Sequence, residues 1–372
     1  MNGSIRLFMP RNRLQELIDA LASAGFCCIG PTMKDGAIVF GSLTSAAEFP
    51  AGVQDRQEPG SYRLQQTASP RAFAWVNGPQ ALKPLLFAPH EELWRARRSP
   101  DGGIDFSTEL PPARPLAVFG VRACDLAALA IQDRHFLQGA HGACHDPFYA
   151  RRREQLFLIA VNCSRSVATC FCTSTGDGPR ATYGFDIALD ELDDGFVVQC
   201  GSEQGQAMTG KLGLAAAAPE HIAEALRQTE QVKQTMVRRL PGRHLRDALF
   251  ANLEHPRWDE VAARCLSCGN CTSVCPTCFC HAETERQHID GSESVHARGW
   301  DSCFTRGHSA IHGLIIRPDT RTRYRQWLTH KLGSWHDQFG RSGCVGCGRC
   351  IAWCPVGIDI TEEATAICGD KP

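Results

Sequence analysis

The stretch CLSCGNCTSVCPTCFC, running from Cys265 to Cys280, decides how this chain is read. It sets six cysteines in sixteen residues, and the spacing at its start uses only four of them. Cys265-x2-Cys268-x2-Cys271-x3-Cys275 is followed by Pro276, and the same run returns as Cys344-x2-Cys347-x2-Cys350-x3-Cys354 followed by Pro355. Three closely spaced thiolates wrap three corners of an iron–sulfur cubane, and the fourth, held rigid by its proline, points toward a second cubane. The spacing predicts two [4Fe–4S] clusters with crossed ligation. Cys265, Cys268, Cys271 and Cys354 would hold one; Cys344, Cys347, Cys350 and Cys275 would hold the other. Gly269, Gly346 and Gly348 let backbone N–H groups approach the sulfurs. Zinc also binds C-x2-C pairs, but four thiolates per ion leave no use for a third cysteine at x2 and a Cys-Pro at x3, twice.

Working outward, the chain has 372 residues, a formal net charge of −1 and 43% hydrophobic residues. This is enough for a sizeable core in two or three domains. The near-zero charge gives no attraction to nucleic acid or to an anionic membrane. No apolar run is long enough to span a bilayer, and MNGSIRLFMPRNRLQELIDALASAGF lacks the continuous apolar core of a secretory signal. A soluble, cytoplasmic protein is expected. Twenty cysteines without a secretion signal point to metal binding ahead of a disulfide framework, and most of them lie after Pro256.

Residues 1–240 are expected to form an α/β domain. PLAVFGV (Pro115–Val121) and LFLIAVN (Leu156–Asn162) read as buried strands, with helical periodicity in CDLAALAIQDRHFL after the first. GFDIALDEL and GFVVQCGS are two further strands split by the turn Asp193-Asp194-Gly195. PEHIAEALRQTEQVKQTMVRRL reads as a helix that leaves this domain and ends at Pro241-Gly242. Residues 241–372 are expected to form a mostly α-helical, ferredoxin-like domain holding both clusters. HLRDALFANL and PRWDEVAARC are its first helices, and about seventy residues expected to be helix-rich separate Cys275 from Cys344.

The first domain carries a cysteine set of its own: Cys124 in FGVRACD, Cys163 in AVNCS, and Cys170 and Cys172 in TCFCT. If the two strands before Cys124 and Cys163 are parallel neighbours, both cysteines lie beyond carboxyl ends, where α/β sheets hold ligands. The loop with Cys170 and Cys172 would fold back onto them, and Ser174–Pro179 supplies a turn that can lie against a cofactor. These four are candidate ligands of a third [4Fe–4S] cluster; the alternative is that Cys124 and Cys163 are buried packing residues and Cys170 and Cys172 a redox or structural thiol pair.

The tetrapeptide TCFC recurs at Thr277–Cys280, and WDSC adds Cys303. Cys278, Cys280 and Cys303 could hydrogen-bond around a cubane, ligate a further metal together with His281, or carry out disulfide chemistry; the first role is favoured. Cys27, Cys28, Cys144, Cys200 and Cys368 have no metal-like spacing and are expected to pack. His141–His145 reads as a loop. No G-x-G-x-x-G follows a strand and no C-x-x-C-H is present, so no flavin or nicotinamide is expected on this chain alone, and no covalent haem. No catalytic constellation stands out. Arg341 and Arg349, beside the second run, could favour a reduced cluster or face an acidic partner; as plain surface charges they would do neither.

Taken in order, FGVRACDL, DPFYARRREQLFLIAVNC, CFCTSTGDGP with GFDIAL, CLSCGNCTSVCPTCFC, RGWDSC and HKLGSWHDQFGRSGCVGCGRCIAWCPVGIDI resemble one family across about residues 115–362. It is the iron–sulfur β subunit of soluble [NiFe] sulfhydrogenases, the NAD(P)-linked hydrogenases, related to the corresponding iron–sulfur subunit of anaerobic sulfite reductase. The resemblance implies a non-catalytic electron-relay subunit of an oxidoreductase complex. Its implied partners are a flavin-bearing, NAD(P)H-reactive subunit and the small and large subunits of a [NiFe] hydrogenase, or a sirohaem sulfite reductase subunit. The alternative is a thiol or sulfur reductase acting through Cys278, Cys280 and Cys303.

Overall fold

The computed structural model describes residues 6–138, 145–242 and 245–369. Cys144 and most of the expected loop at His141–His145 therefore lie outside the described residues. In chain order the strands begin with β1 (Leu7–Pro10), β2 (Cys27–Lys34), β3 (Ala37–Ser42), β4 (Val53–Glu58) and β5 (Ser61–Gln66). Next come β6 (His90–Arg98), β7 (Ile104–Ser107), β8 (Leu116–Val121) and β9 (Leu156–Val161). Then follow β10 (Ile187–Glu191), β11 (Gly195–Cys200), β12 (Ala215–Ala216), β13 (His281–Gln287) and β14 (Glu293–Trp300).

The large sheet has the order β12-β1-β11-β10-β9-β8-β2-β3. Its centre, β2-β8-β9-β10, is parallel, and the outer strands pair antiparallel. LFLIAV is buried at every position, as a central strand covered on both faces must be. Its side chains alternate between two cores. Phe157, Ile159 and Val161 join Leu17 and Leu21 of the helix Leu14–Ser23, while Leu156, Leu158 and Ala160 join Leu126 and Leu129 of the helix Ala123–Asp133. Each fully buried aliphatic or aromatic side chain contributes about 1.5–3 kcal/mol. The turn at Asp193–Gly195 closes the antiparallel pair β10–β11, as expected. The helix after Pro219 stops at Thr235, earlier than Pro241-Gly242 would require. Met236 turns to extended backbone and buries its side chain among the cysteines of the first region.

After residue 245 four helices, Leu245–Ala251, Arg257–Arg264, Thr320–Thr329 and Ile360–Cys368, close around Trp258, Tyr324, Leu328 and Leu332. The segment between the two cysteine runs departs from its helix-rich expectation. HAETERQ and ESVHARGW pair as the antiparallel strands β13 and β14, and β14 pairs in turn with β6, giving the sheet β13-β14-β6-β7. Strand is favoured because β6 pairs with β14 along its length, with one register shift between His296 and Ala297, and because Glu293 accepts from Arg95 at 2.6 Å and Arg97 at 2.7 Å across it. Residues on both sides of position 240 thus share one sheet.

Candidate iron–sulfur site

Both cysteine runs fold into the same local shape. In each, a glycine in the left-handed region, Gly269 (φ +75°) or Gly348 (φ +75°), opens a single helical turn that carries the third cysteine. Backbone donors reach three of the sulfurs: Ser267 N–H to Cys265 Sγ at 3.4 Å, Gly346 N–H to Cys344 Sγ at 3.4 Å, and Ile358 N–H to Cys354 Sγ at 3.3 Å. The fourth cysteines are exchanged. Cys354 stands among the thiols of Cys265 and Cys271, and Cys275 stands among those of Cys344, Cys347 and Cys350. One cavity is lined by Cys265, Cys268, Cys271 and Cys354 together with Tyr324 and Trp327. Among the described residues no three His, Cys, Asp or Glu side chains close on a point where one ion would sit.

Two buried ammonium groups face this array. Lys331, 4% exposed, donates to Thr277 Oγ1 at 2.8 Å and lies beside Cys275, Cys278 and Cys344. Burial alone would pull it down, but those thiols outweigh burial and hold it above the ordinary lysine range. Lys83, 5% exposed and lowered by burial, donates to the carbonyls of Thr272 (3.0 Å) and Ser273 (2.9 Å) and lies over the Trp300 ring. Neither lysine forms a carboxylate ion pair among the described residues. Burying an ammonium without a counter-charge is costly, and for Lys331 the negative charge comes from the sulfurs. The donor set therefore fits thiolate-bound, anionic clusters.

The third set gathers as well. β8 and β9 are parallel neighbours, Cys124 enters the helix directly after β8, and Cys163 follows β9. All four thiols are buried. Cys172 has Cys170 and Cys163 as sulfur neighbours, while Cys124 has Cys347 and Cys172. Cys347 of the second run thus belongs to this neighbourhood too. Burial pushes the Cys170 thiol up to about 12. Gly178 allows the close packing, since a Cβ there would lie 2.9 Å from Cys172 Sγ.

The FGVRACD block joins the two regions. Arg122, 1% exposed, donates to the carbonyls of Phe73 (3.0 Å), Val76 (2.9 Å) and Val161 (3.1 Å), and to that of Trp75. Asp125 accepts from Arg349 at 2.7 Å, and Arg349 also donates to the carbonyls of Gly78 (2.9 Å) and Gln80 (3.2 Å). Arg349 is therefore a buried clamp and faces no partner. Arg341 is likewise bound to Asp177, at 3.0 Å through Nη1. The CFC loop lies against the second run: Phe171 N–H donates to the Gly346 carbonyl at 2.9 Å, and Asn77 Nδ2 donates to the Cys347 carbonyl at 2.9 Å.

Cys278 lies beside Cys275, and Cys280 lies beside Cys303 and His308. His281 turns away from these thiols toward the Phe279 carbonyl (3.1 Å) and the Phe87 ring. The imidazole at this site is His308, which lone-residue reading of a loop gave no reason to choose. Its Nδ1 lies 2.7 Å from Asp301 Oδ2. The neighbouring Cys303 thiol, with burial opposing and His308 adding to it, draws Cys280 below the ordinary thiol range; Cys280 and Asp301 raise His308 to about 9. Of the expected packing cysteines, Cys28 is buried and Cys200 and Cys368 are half-buried, whereas Cys27 at the start of β2 is exposed.

Comparison with known proteins settles the family. Residues 264–358 match the 4Fe-4S dicluster domain. Sulfhydrogenase 2 subunit beta of Pyrococcus furiosus is 32% identical over 255 residues, covering 68% of this chain and 74% of the relative. The chain belongs to the sulfhydrogenase β-subunit family. It is an iron–sulfur protein of that family, and no solved structure matches it. Among the described residues no helix of this family member is long and apolar enough to cross a membrane.

Proposed function

We propose that this chain is the electron relay of a sulfhydrogenase-type complex. Its partners on this reading are a flavin subunit that meets NAD(P)H and a [NiFe] hydrogenase module. The observation that carries the reading is the exchange of the fourth cysteines, Cys354 into the first run and Cys275 into the second, around two buried lysines. Cys265, Cys268, Cys271 and Cys354 hold one [4Fe–4S] cluster; Cys344, Cys347, Cys350 and Cys275 hold the second; Cys124, Cys163, Cys170 and Cys172 hold a third. Bound clusters supply one-electron carriers. The chain's own part is to fix the thiolates with backbone N–H donors, to balance their charge with Lys83 and Lys331, and to exclude water with Tyr324 and Trp327. The reading divides the chain into an α/β unit at 1–240 and a dicluster unit at 241–372, and assigns catalysis to partner subunits.

Anaerobic purification with iron and acid-labile sulfide counted per chain, and low-temperature EPR after dithionite, tests it. About twelve irons supports three cubanes, and about eight removes the third set from the relay. Zinc without iron defeats the reading.

A further inference from the structure

The β13–β14 hairpin does something the relay has no use for. Cys280 immediately precedes β13 and Cys303 lies three residues past β14, so the pairing of His281 with Trp300 brings both ends together. Asp301 N–H donates to the Cys280 carbonyl at 3.0 Å, and the two thiols are neighbours. His308 lies beside Cys280, held by Asp301 at 2.7 Å. Asp301, His308, Cys280 and Cys303 are therefore successive neighbours: a carboxylate orients an imidazole that lies beside a thiol, and that thiol has a second thiol next to it. A thiol that only supported a cluster would need no oriented proton partner. A carboxylate–imidazole pair beside a sulfur is the arrangement that activates a nucleophile. The group also has access, because Cys280 and Cys278 line an open groove with Lys83, Trp300 and Asp301. The Lys83 amine in that groove suits an anionic substrate.

We propose that Cys280 and Cys303 form a reversible redox pair that reduces small anionic disulfides, with His308, positioned by Asp301, as the proton partner of Cys280. The Cys280 thiolate attacks one sulfur of RS–SR; that bond breaks, Cys280–S–SR forms, and the departing RS⁻ takes the proton of His308. Cys303 gives its proton to His308 and attacks Cys280 Sγ; the Cys280–S–SR bond breaks, the Cys280–Cys303 disulfide closes, and the second departing RS⁻ takes that proton from His308. Two electrons, delivered singly by an iron–sulfur donor, and two protons restore the starting state. The sum is RSSR + 2e⁻ + 2H⁺ → 2RSH. The inference rests on the relay reading only for its source of electrons.

The test uses the full chain, kept anaerobic, equilibrated in dithiothreitol redox buffers, alkylated, digested and analysed by mass spectrometry, with iron counted in parallel. The linked Cys280–Cys303 peptide is expected to appear in one two-electron step with iron unchanged. His308→Gln and Asp301→Asn, which keep both thiols, should shift the dithiol–disulfide constant about tenfold toward disulfide, because a thiolate without its cation is less stable; that is about 30 mV for two electrons. With 5,5′-dithiobis(2-nitrobenzoate) as the anionic probe, Cys303→Ser should retain the aryl group on Cys280, whereas the parent chain releases it. No linked peptide at any poise, with iron unchanged, overturns the proposal. So does the loss of iron in Cys280→Ser or Cys303→Ser, which would make these thiols cluster ligands. A parent chain without iron defeats the relay instead and leaves the thiol readout standing by itself.

Discussion

Cys268 of the first run is exposed, whereas Cys347, its counterpart in the second, is 8% exposed and sits among the thiols of the first region. Asn270, just after the glycine of the first run, reaches only the Trp353 carbonyl at 3.4 Å from an exposed position; Arg349, at the matching place, is clamped in the interior. A Cβ on Gly269 would meet the Ser302 side chain at 3.3 Å, while one on Gly348 would meet the Thr169 carbonyl at 2.3 Å. Equal spacing therefore builds two equal thiolate cages, and surroundings make them unequal. On the relay reading the outer cage is the one that exchanges electrons with a partner, and the inner one connects to the third cysteine set.

The comparison breaks if matched substitutions behave alike. Asp125→Ala strands a buried guanidinium and should cost about 3–5 kcal/mol, whereas Asn270→Ala should stay within about 0.5 kcal/mol; thermal unfolding of the purified proteins measures both. Gly348→Ala combines a strained φ with a backbone clash and should cost about 2–4 kcal/mol, against about 1–2 kcal/mol for Gly269→Ala. Similar losses for the two glycines would mean that the inner cage is not wedged. Lys331→Met removes a buried positive charge beside Cys275 and Cys344, and should lower the potential of the inner site by about 60–120 mV in an EPR-monitored titration. A shift confined to the outer site would reverse the assignment of Cys275.

The smallest effect concerns rate. Cys280 is drawn below the ordinary thiol range, so its alkylation by iodoacetamide should depend on pH less steeply between about pH 6 and 8 than that of a free thiol. An ordinary thiol speeds up about tenfold per pH unit there. His308 is raised above its usual value, so the stability its pairing contributes is fully present below about pH 6.5 and is lost as pH rises through about 9. Peptide-resolved alkylation at several pH values checks the first point, and thermal unfolding of His308→Gln against the parent chain checks the second.

Much of this was legible in the residues. Apolar runs marked β8 and β9, Asp193-Asp194-Gly195 marked the β10–β11 turn, and strand ends located Cys124 and Cys163. HEELWRARR, HAETERQ and ESVHARGW were not legible as a sheet, because their charged faces are solvated and only pairing across nearly two hundred residues makes them strands. Arg349 looked like surface charge because its partner, Asp125, is 224 residues away in sequence. His308 carried no spacing at all; the hairpin alone brings it to Cys280.

The inner cage is held by bonds from early residues to late ones. Gly60 N–H donates to the Ile351 carbonyl at 3.0 Å, Asn77 to that of Cys347, and Phe171 to that of Gly346. A ribosome has already released these early partners when Cys344 to Cys354 emerge, so the last cysteines arrive at a seat that is already built. Once they dock, backbone closes over Cys347, while Cys344 and Cys350 stay half-buried. On the relay reading, delivery of iron and sulfide to the inner cage then comes before that docking or together with it.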